Sequence, residues 1–312
     1  MRIPTRPFIP AVAATLALGV AASALSLSPA TAAPASGEGK PLFEFGVVAD
    51  VQYCDCDTKG SRNYRGSLQK LSEAATTFNS ADLAFTIQTG DLIDRNKESF
   101  DQILPVWEQI QGPRHHILGN HDFPVYTDEV ESLLGMPNQY YDFSRDGFRF
   151  VALDTNDIST YANAPESPKR GQAETILAAK TWEGDSNAQS WNGGVGEEQM
   201  RWFESVLSDA EAKGEKTVVL GHMPVAPLNE HNAWNDSAII ATMEKHRSVV
   251  AYLNGHNHMG NYEERNGIHY VNLEGMVEQD TNAYSVIKVH EDRLVIDGYG
   301  REPDRQLKFA SK

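Results

Sequence analysis

The sequence predicts an α/β fold built around a parallel β-sheet. Apolar runs typical of strands alternate with segments of helical periodicity, at 42–51, 67–78, 83–88, 100–110 and 114–118. Strands and helices that alternate at this spacing form βαβ units, in which the strands run parallel. Polar residues follow the strand-like runs directly, and α/β proteins place their sites at the carboxyl ends of parallel strands.

The signals for single elements differ along the chain. Apolar residues share one helix face in 67–78, at Leu68, Leu71, Ala75 and Phe78. The helix at 100–110 contains Pro105, which we place near its start because the first helical turn tolerates proline. Later apolar runs predict strands at 148–154, 216–220 and 248–253, and an amphipathic pattern predicts a helix at 197–210.

Two later regions depart from this alternation. Residues 155–195 are rich in Asn, Gly, Pro and Ser and show no clear period, which predicts an irregular insertion that is functional or mobile. Trp182 and Trp191 lie in it, either as lid residues or as residues that pack the loop down. The segments 268–273, 283–289 and 293–297 alternate like strands of a second sheet.

The composition of the chain excludes some classes of function. The chain has 312 residues, 40% of them hydrophobic, and a formal charge of −16. This length is ample for a buried core, and the acidic balance argues against binding nucleic acid, which requires a basic face. Small phosphorylated substrates stay compatible with it, because bound metal cations would supply positive charge.

Residues 1–32 predict an export signal. Arg2 and Arg6 precede an apolar stretch at 11–25, and small residues follow at Ala30-Thr31-Ala32. We expect cleavage rather than an uncleaved anchor, then a flexible lead-in at 33–40 and a single domain at 41–312 without a membrane span. The mature chain is predicted to be secreted, periplasmic or at the cell surface.

Cys54 and Cys56 are separated by one residue. Free thiols, a disulfide and a minor metal site all stay open, and export would permit the disulfide. The simplest interpretation is that the pair shapes a surface loop.

Polar residues beside glycine mark five predicted strand ends. They are Asp50-Val51-Gln52, Gly90-Asp91, Gly119-Asn120-His121-Asp122, Gly221-His222 and Gly255-His256-Asn257-His258. One such residue alone is typical of a turn or cap, but five together indicate a site. Carboxylate, amide and imidazole donors suit Mn²⁺, Fe²⁺ or Zn²⁺, and one carboxylate is able to bridge two ions. A GxSxG serine elbow is absent from the sequence, so a serine nucleophile has no support.

The order of these motifs resembles the calcineurin-like metallophosphoesterases. Further segments resemble the manganese-dependent ADP-ribose/CDP-alcohol diphosphatases within them: FGVVADVQYCD, SRNYRGSLQKL, QTGDLID, WNGGVGEEQMRWF, NLEGMVE and GREPDR. The likeness weakens over 155–190 and 224–232. It implies a four-layer α/β/β/α sandwich of two mixed sheets flanked by helices.

The resemblance also implies a dinuclear metal centre. The first ion would take Asp50, Gln52, Asp91 and His258, and the second would take Asp91, Asn120, His222 and His256. Asp91 would bridge the two ions. Gln52 replaces the histidine usual in the superfamily, and this extra oxygen donor favours Mn²⁺ over Zn²⁺, with Fe, Co and Zn as the alternatives. Asp94 and Asp122 are interpreted as groups that orient ligands, or equally as helix caps.

The implied reaction is attack on phosphorus by a hydroxide that bridges the metals. His121 follows a predicted ligand, so it would protonate the leaving oxygen or orient the phosphate, the alternative being a packing role. Several residues are predicted to contact substrate: Tyr53, Arg62, Arg65, Asn192, Gly193, Trp234 and Glu274. Six histidines outside the motifs are interpreted as surface or structural residues: His115, His116, His231, His246, His269 and His290.

The leading hypothesis is an exported hydrolase that cleaves the diphosphate of ADP-ribose or CDP-alcohol type substrates. A phosphodiesterase or phosphomonoesterase on the same metal centre is the alternative, because only the pocket separates these activities. A metal- or phosphate-binding module without catalysis is disfavoured, since every expected ligand is present.

Overall fold

A computed structural model describes residues 39–310. The predicted export signal at 1–32 and most of the lead-in at 33–40 lie outside the described residues. None of the helices within 39–310 combines the length and the apolar character needed to cross a bilayer.

The described residues form six α-helices and fourteen strands. The helices are α1 (Gly66–Ser80), α2 (Glu98–Trp107), α3 (Thr127–Leu134), α4 (Pro168–Glu183), α5 (Glu197–Lys213) and α6 (Asp236–Lys245). The strands are β1 (Phe43–Val48), β2 (Phe85–Gln88), β3 (Arg114–His116), β4 (Tyr141–Arg145), β5 (Phe148–Ala152), β6 (Ile158–Ser159), β7 (Gly193–Gly194), β8 (Lys216–Leu220), β9 (Val249–Asn254), β10 (Met259–Arg265), β11 (Ile268–Glu274), β12 (Ala283–Val289), β13 (Arg293–Gly300) and β14 (Arg305–Lys308). A short 3₁₀ helix spans Asn120–Asp122.

Two six-stranded mixed sheets form the centre of the fold. The first has the order β14-β13-β12-β1-β2-β3, and the second has the order β10-β11-β9-β8-β5-β4. Strands β1, β2 and β3 run parallel, as do β5, β8, β9 and β11. Strands β6 and β7 form a small separate ribbon. The predicted βαβ pattern is confirmed for the first half of the chain.

The two sheets pack against each other through an aromatic core. Alternate residues of β1 point between the sheets, and Phe45 stacks on Phe85 with ring centroids 5.0 Å apart. Phe150 of the second sheet meets Phe85 edge to face, also at 5.0 Å. Offset and edge-to-face pairs are the favourable aromatic geometries, so these rings bind the two sheets together.

Helices cover the outer face of each sheet. Leu71 and Phe78 of α1 and Trp107 of α2 are buried in one cluster with residues of the first sheet. Phe203 of α5 and Ile239 of α6 are buried in another cluster with residues of the second sheet. The predicted four-layer α/β/β/α sandwich is confirmed.

The prediction that the last three strand-like segments form a second sheet is wrong for two of them. Strands β12 and β13 belong to the first sheet, where β12 pairs antiparallel with β1, and only β11 joins the second sheet. Alternation along a strand predicts that one face is buried, but it does not say which strand will be the hydrogen-bonding neighbour.

Two local expectations are also corrected. The segment 155–195 is not irregular throughout, because it contains α4, whose only buried residue is Ala173 and which therefore lacks an apolar period. Only the two ends of α4 carry residues typical of a helix boundary. The Ser167 hydroxyl caps the amide of Arg170, and Gly184 ends the helix in the left-handed conformation. Pro105 lies in the last turn of α2 rather than near its start, since α2 begins at Glu98.

Candidate metal centre

The parallel strands bring the five polar motifs to one edge of the sandwich. Asp50 follows β1, Asp91 follows β2 and Asn120 follows β3, whereas His222 and His256 follow β8 and β9 of the other sheet. The backbone amide of His256 lies 3.0 Å from both carboxylate oxygens of Asp50, which joins the two sheets at this edge.

Asp91 lies at the middle of the cluster and is fully buried. Its Oδ2 lies 2.9 Å from Nε2 of Gln52 and 3.4 Å from Nε2 of His222. Its Oδ1 accepts a hydrogen bond from the backbone amide of His121 at 2.8 Å. Both carboxylate oxygens therefore face neighbours that were predicted to lie at the site.

Two groups of buried donors share Asp91. One joins Asp91 with His222 and His256, and the other joins Asp91 with Asp50 and His258. In each group the donor atoms lie within 4.8 Å of one another. The motif resemblance implied that these donors divide between two ions in the same way, and Asp91 belongs to both groups.

Each histidine of the cluster has one ring nitrogen bound by a neighbour. Nδ1 of His222 lies 2.9 Å from the Thr89 carbonyl oxygen, and Nδ1 of His258 lies 2.7 Å from Oε1 of Glu278. Nε2 of His256 lies 2.8 Å from Oδ1 of Asn192. Such partners fix the ring and its tautomer, as they do around metal-bound histidines, and leave the other nitrogen for the metal.

Gln52 provides the test of whether these residues fit a metal ion. Its Nε2 donates to Asp91, while its Oε1 is buried and has no hydrogen-bond partner. Buried polar oxygens are nearly always satisfied, so an unpartnered one beside two carboxylates indicates a missing electropositive group. The donor set of carboxylate, amide oxygen and imidazole therefore fits divalent ions.

Backbone strain is concentrated at the predicted ligands. Eight non-glycine residues in the described part of the chain have positive φ, and half of them are predicted ligands: Asp50, Gln52, Asp91 and His256. This conformation is unfavourable for residues with a Cβ, and it occurs mainly where a site requires it. Gly119 is required for a different reason, because a Cβ there would lie 2.2 Å from Oδ1 of Asp91.

Asp122 supports the predicted ligand Asp91 and Asp94 supports His121, and neither aspartate belongs to a donor group. The Asp122 carboxylate accepts hydrogen bonds from the backbone amides of Asp91 and Gly119, both at 2.9 Å. The Asp94 carbonyl oxygen lies 2.7 Å from Nδ1 of His121, so His121 donates there and keeps Nε2 free. The position of Asp122 is compatible with both predicted roles, orienting a ligand and capping the short helix, whereas Asp94 contacts His121 rather than a predicted ligand.

The electrostatics of the cluster favour positive charge. Burial would raise the pKa of Asp91, but the His222 and His121 imidazoles outweigh burial and hold that pKa well below its usual range. Burial opposes protonation of His222 and of His258, yet Asp91 and Asp50 beside them raise the pKa of each histidine to about 9. The Asp91 carboxylate thus retains its negative charge and attracts cations.

A cavity of about 420 Å³ opens onto the cluster. Nine residues line it: Gln52, Arg62, Asp91, Asn120, His121, Trp191, His231, His256 and His258. His231 corrects an expectation, because it was interpreted as a surface or structural residue. Its ring centroid lies 5.4 Å from that of His256. No motif surrounds His231 in the sequence, so no local pattern predicted that it lies at the site.

Glu278 was also missed, although it ends the NLEGMVE segment. It binds Nδ1 of His258, and its Oε1 lies 3.6 Å from Nε of Arg62. Hydrogen bonding to His258 lowers the pKa of Glu278 to about 2. Glu278 therefore connects a predicted ligand with a predicted substrate contact.

The predicted substrate contacts fall into two sets. Arg62 lines the cavity, and Asn192 lies behind it on His256. The other predicted contacts do not line this cavity: Tyr53, Arg65, Gly193, Trp234 and Glu274. The structure gives the four side chains among them other partners, and the backbone of Gly193 bonds Trp234 and Met223.

Two of these side chains have charged partners. Arg65 pairs with Asp55 and Asp57, and Glu274 pairs with Arg301 at 2.7 Å. The Tyr53 hydroxyl hydrogen-bonds Gln102, and the Trp234 indole donates to the Gln189 carbonyl.

Cys54 and Cys56 form a disulfide in the loop after Gln52. Cys54 is fully buried against Tyr64 and Val277. The sequence left three alternatives open for this pair, and the structure contains the disulfide.

Comparisons with known proteins agree with this geometry. Residues 43–260 match the family model described as calcineurin-like phosphoesterase. A manganese-dependent ADP-ribose/CDP-alcohol diphosphatase of Arabidopsis thaliana is 34% identical, over 85% of this chain and 97% of the relative. The Homo sapiens protein of the same name is 31% identical, over 89% of this chain and 96% of the relative.

The fold has a close counterpart among solved structures. A dimetal phosphatase from Danio rerio superposes with a TM-score of 0.81 at 28% identity, over 87% of this chain and all of that one. The sequence and structural matches together confirm the resemblance predicted from the motifs.

Proposed function

We propose a specific reaction from the premise that this chain belongs to the calcineurin-like phosphoesterase family and is a metal-dependent phosphohydrolase. The reaction is hydrolysis of the diphosphate bond in nucleoside diphosphate derivatives of the ADP-ribose or CDP-alcohol type. It releases a nucleoside monophosphate and a second phosphorylated fragment. The observation that carries the proposal is the pair of donor groups that share Asp91 at the base of an open cavity.

The substrate class is supported by the relatives. Those from Arabidopsis thaliana, Oryza sativa and Homo sapiens all bear the name manganese-dependent ADP-ribose/CDP-alcohol diphosphatase, and each match covers most of both chains. The cavity of about 420 Å³ has the size of a small-molecule site.

In this proposal Asp50, Gln52, Asp91 and His258 would hold the first of two divalent ions. Asp91, Asn120, His222 and His256 would hold the second. When bound, the ions polarise phosphoryl oxygens and bring the pKa of water near neutrality. The three oxygen-donor residues on the first ion favour Mn²⁺.

The other residues of the cavity act on the substrate directly. His121 is held through Nδ1 by the Asp94 carbonyl, so its Nε2 is the nitrogen that donates a proton to the leaving oxygen or a hydrogen bond to the phosphate. Arg62 presents its guanidinium at the cavity wall, where it would bind a phosphoryl oxygen. Glu278 fixes this guanidinium and the His258 ring together.

Hydrolysis of a substrate panel tests the proposal. The mature protein is stripped with a chelator, reloaded with Mn²⁺ and given ADP-ribose, CDP-choline, a cyclic nucleotide, a bis-aryl phosphate and an aryl monophosphate. We expect the two diphosphates to have the highest kcat/KM, with AMP and CMP as products. Asp91→Ala provides the inactive control. Preference for the aryl phosphates would keep the metal centre but overturn the diphosphatase assignment.

Export of the chain is a further part of the proposal. The three-part pattern of residues 1–32 supports it, and the Cys54–Cys56 disulfide suits an oxidising compartment. Expression of the full chain in a bacterium, followed by N-terminal sequencing of the protein outside the cytoplasm, tests this. We expect a mature chain that begins after residue 32, whereas an uncleaved cytoplasmic chain would contradict it.

A further inference from the structure

A second cavity, of about 610 Å³, adjoins the metal-centre cavity. The two share three lining residues, Asn120, His121 and Trp191. A substrate with its phosphates at the metals therefore has room to extend past His121 into a second compartment. We call this compartment the distal cavity.

Trp191 stands where the two cavities meet, and its backbone is held firmly. The next residue, Asn192, is fully buried and bonds His256, the Asn187 carbonyl and the Glu230 carbonyl. The Trp191 residue itself is 43% exposed. A large aromatic side chain is normally well buried, so an exposed one on a fixed support beside a reaction centre requires an explanation.

The lining of the distal cavity suits a neutral planar ring. Phe123 and Tyr161 contribute aromatic surface to the lining, and Asn96 and Ser190 contribute polar groups. Its two cations are already paired, Arg95 with Asp94 and Lys97 with Glu129. These pairs leave little excess charge for a further phosphate, whereas the amide, carbonyl and hydroxyl groups match the edge of a nucleobase.

We propose that Trp191 is a specificity-determining residue whose indole stacks on the nucleobase of the substrate in the distal cavity. This inference rests on the proposed diphosphatase function and adds to it how the nucleoside half is recognised. Stacking on an aromatic side chain is tolerant of base identity, because every base has a π face. Adenine and cytosine nucleotides would therefore both be accepted.

Steady-state kinetics of Trp191→Ala and Trp191→Phe test the stacking. The substrates are ADP-ribose, CDP-choline and an abasic analogue of ADP-ribose in which a hydroxyl replaces adenine. Because the base lies away from the reacting bond, its loss of binding should appear in KM rather than kcat. We expect Trp191→Ala to raise KM for both nucleotides about tenfold, Trp191→Phe to raise it about twofold, and neither to alter KM for the abasic analogue.

A matched control exists in the same segment. Trp182 lies on α4 and is 91% exposed, so Trp182→Ala removes an indole from a surface position. It should leave all three substrates unchanged. If Trp191→Ala raised KM equally for ADP-ribose and the abasic analogue, the substitution would have damaged the site in general. That result would overturn the proposal. A rise in KM confined to CDP-choline would indicate that Trp191 contacts the quaternary ammonium of choline. That result would also overturn the proposal.

Binding of AMP gives a readout that does not depend on turnover. We expect AMP to quench tryptophan fluorescence of the Mn²⁺-loaded wild type and Trp182→Phe, but not of Trp191→Phe. Quenching that persists in Trp191→Phe, or is absent from the wild type, contradicts the stacking. If the wild type hydrolyses no diphosphate, the proposed function fails, and the AMP quenching still decides the role of Trp191.

Discussion

The carboxylate of Asp122 holds Asp91 through the backbone: Oδ2 of Asp122 lies 2.9 Å from the amide nitrogen of Asp91. Its Oδ1 accepts the next amide, that of Leu92, at 2.8 Å. Asp91 has φ of 57°, a strained conformation that these bonds stabilise. The predicted bridging ligand is therefore positioned by a residue from the neighbouring strand end.

Asp122→Asn should loosen this loop. An amide group replaces one acceptor oxygen with a donor that faces backbone N–H groups, so we expect a loss of about 2 kcal/mol in the free energy of unfolding. We also expect Mn²⁺ affinity to fall by about tenfold or more. Urea denaturation and Mn²⁺ titration measure the two effects. The exposed Asp82→Asn is the control, and an unchanged Mn²⁺ affinity in Asp122→Asn would contradict the orienting role.

Metal counts per chain test the bridging position of Asp91. Asp91→Ala should remove both ions, because the residue belongs to both donor groups. Gln52→Ala should weaken only the first. Elemental analysis after dialysis against Mn²⁺ measures the occupancy, with circular dichroism to check the fold. Two ions retained by Asp91→Ala would refute the ligand assignment.

Gln52→His should change which metal supports activity. The substitution replaces an amide oxygen, unpartnered in this structure, with an imidazole nitrogen. Nitrogen donors suit Zn²⁺ and Co²⁺ better than Mn²⁺, so the activity ratio of Zn²⁺ to Mn²⁺ should rise. Activity of the chelated protein with each added ion measures this ratio. The argument fails if the ratio of Zn²⁺ to Mn²⁺ activity is the same in the wild type and the variant.

The effect of His121→Ala should depend on the leaving group. A poor alcohol leaving group needs the proton that Nε2 would supply, so kcat for an alkyl phosphodiester should fall by about 10²-fold or more. A phosphate leaving group is stable without protonation, so ADP-ribose hydrolysis should fall by less than about tenfold. Measurements of kcat for both substrates, in the wild type and in His121→Ala, test this difference. Equal losses would indicate that His121 orients the phosphate instead.

Acid should destabilise the fold through His116, which belongs to neither of the two donor groups. Burial lowers the pKa of His116 to about 3, and Gln88 Nε2 lies 3.1 Å from its Nδ1, which suits the neutral ring. The unfolded chain binds this proton near pH 6.5, so the folded state binds fewer protons between about pH 6.5 and 3. Stability therefore falls as the pH drops through that window.

His116→Gln measures this contribution, because glutamine does not titrate. Between pH 7 and 4.5, the wild type should lose about 2 to 3 kcal/mol of unfolding free energy more than the variant does. Urea denaturation at both pH values measures the difference. Parallel losses in the two proteins would assign the acid sensitivity to other groups.

Local sequence predicted most of the chemistry of the site. Asp50, Asp91 and His222 each follow a buried strand, and their neighbours along the chain were sufficient to mark them. Glu278 and His231 were missed because their importance comes from contacts with His258 and His256, which the folded chain alone creates. Helix α4 was missed because it buries only Ala173, so its sequence carries no apolar period.

The sequence by itself determined the α/β class, the order of the early elements and which residues are predicted to be metal ligands. These features depend on periodicity and on residues adjacent in the chain, which a reader of the sequence sees directly. Tertiary structure decided that β12 pairs with β1, that Trp191 lies between two cavities and that Asn192 supports His256. Such relationships depend on which surfaces meet when the two sheets pack, and that choice is made by burial over the whole domain rather than by any local segment.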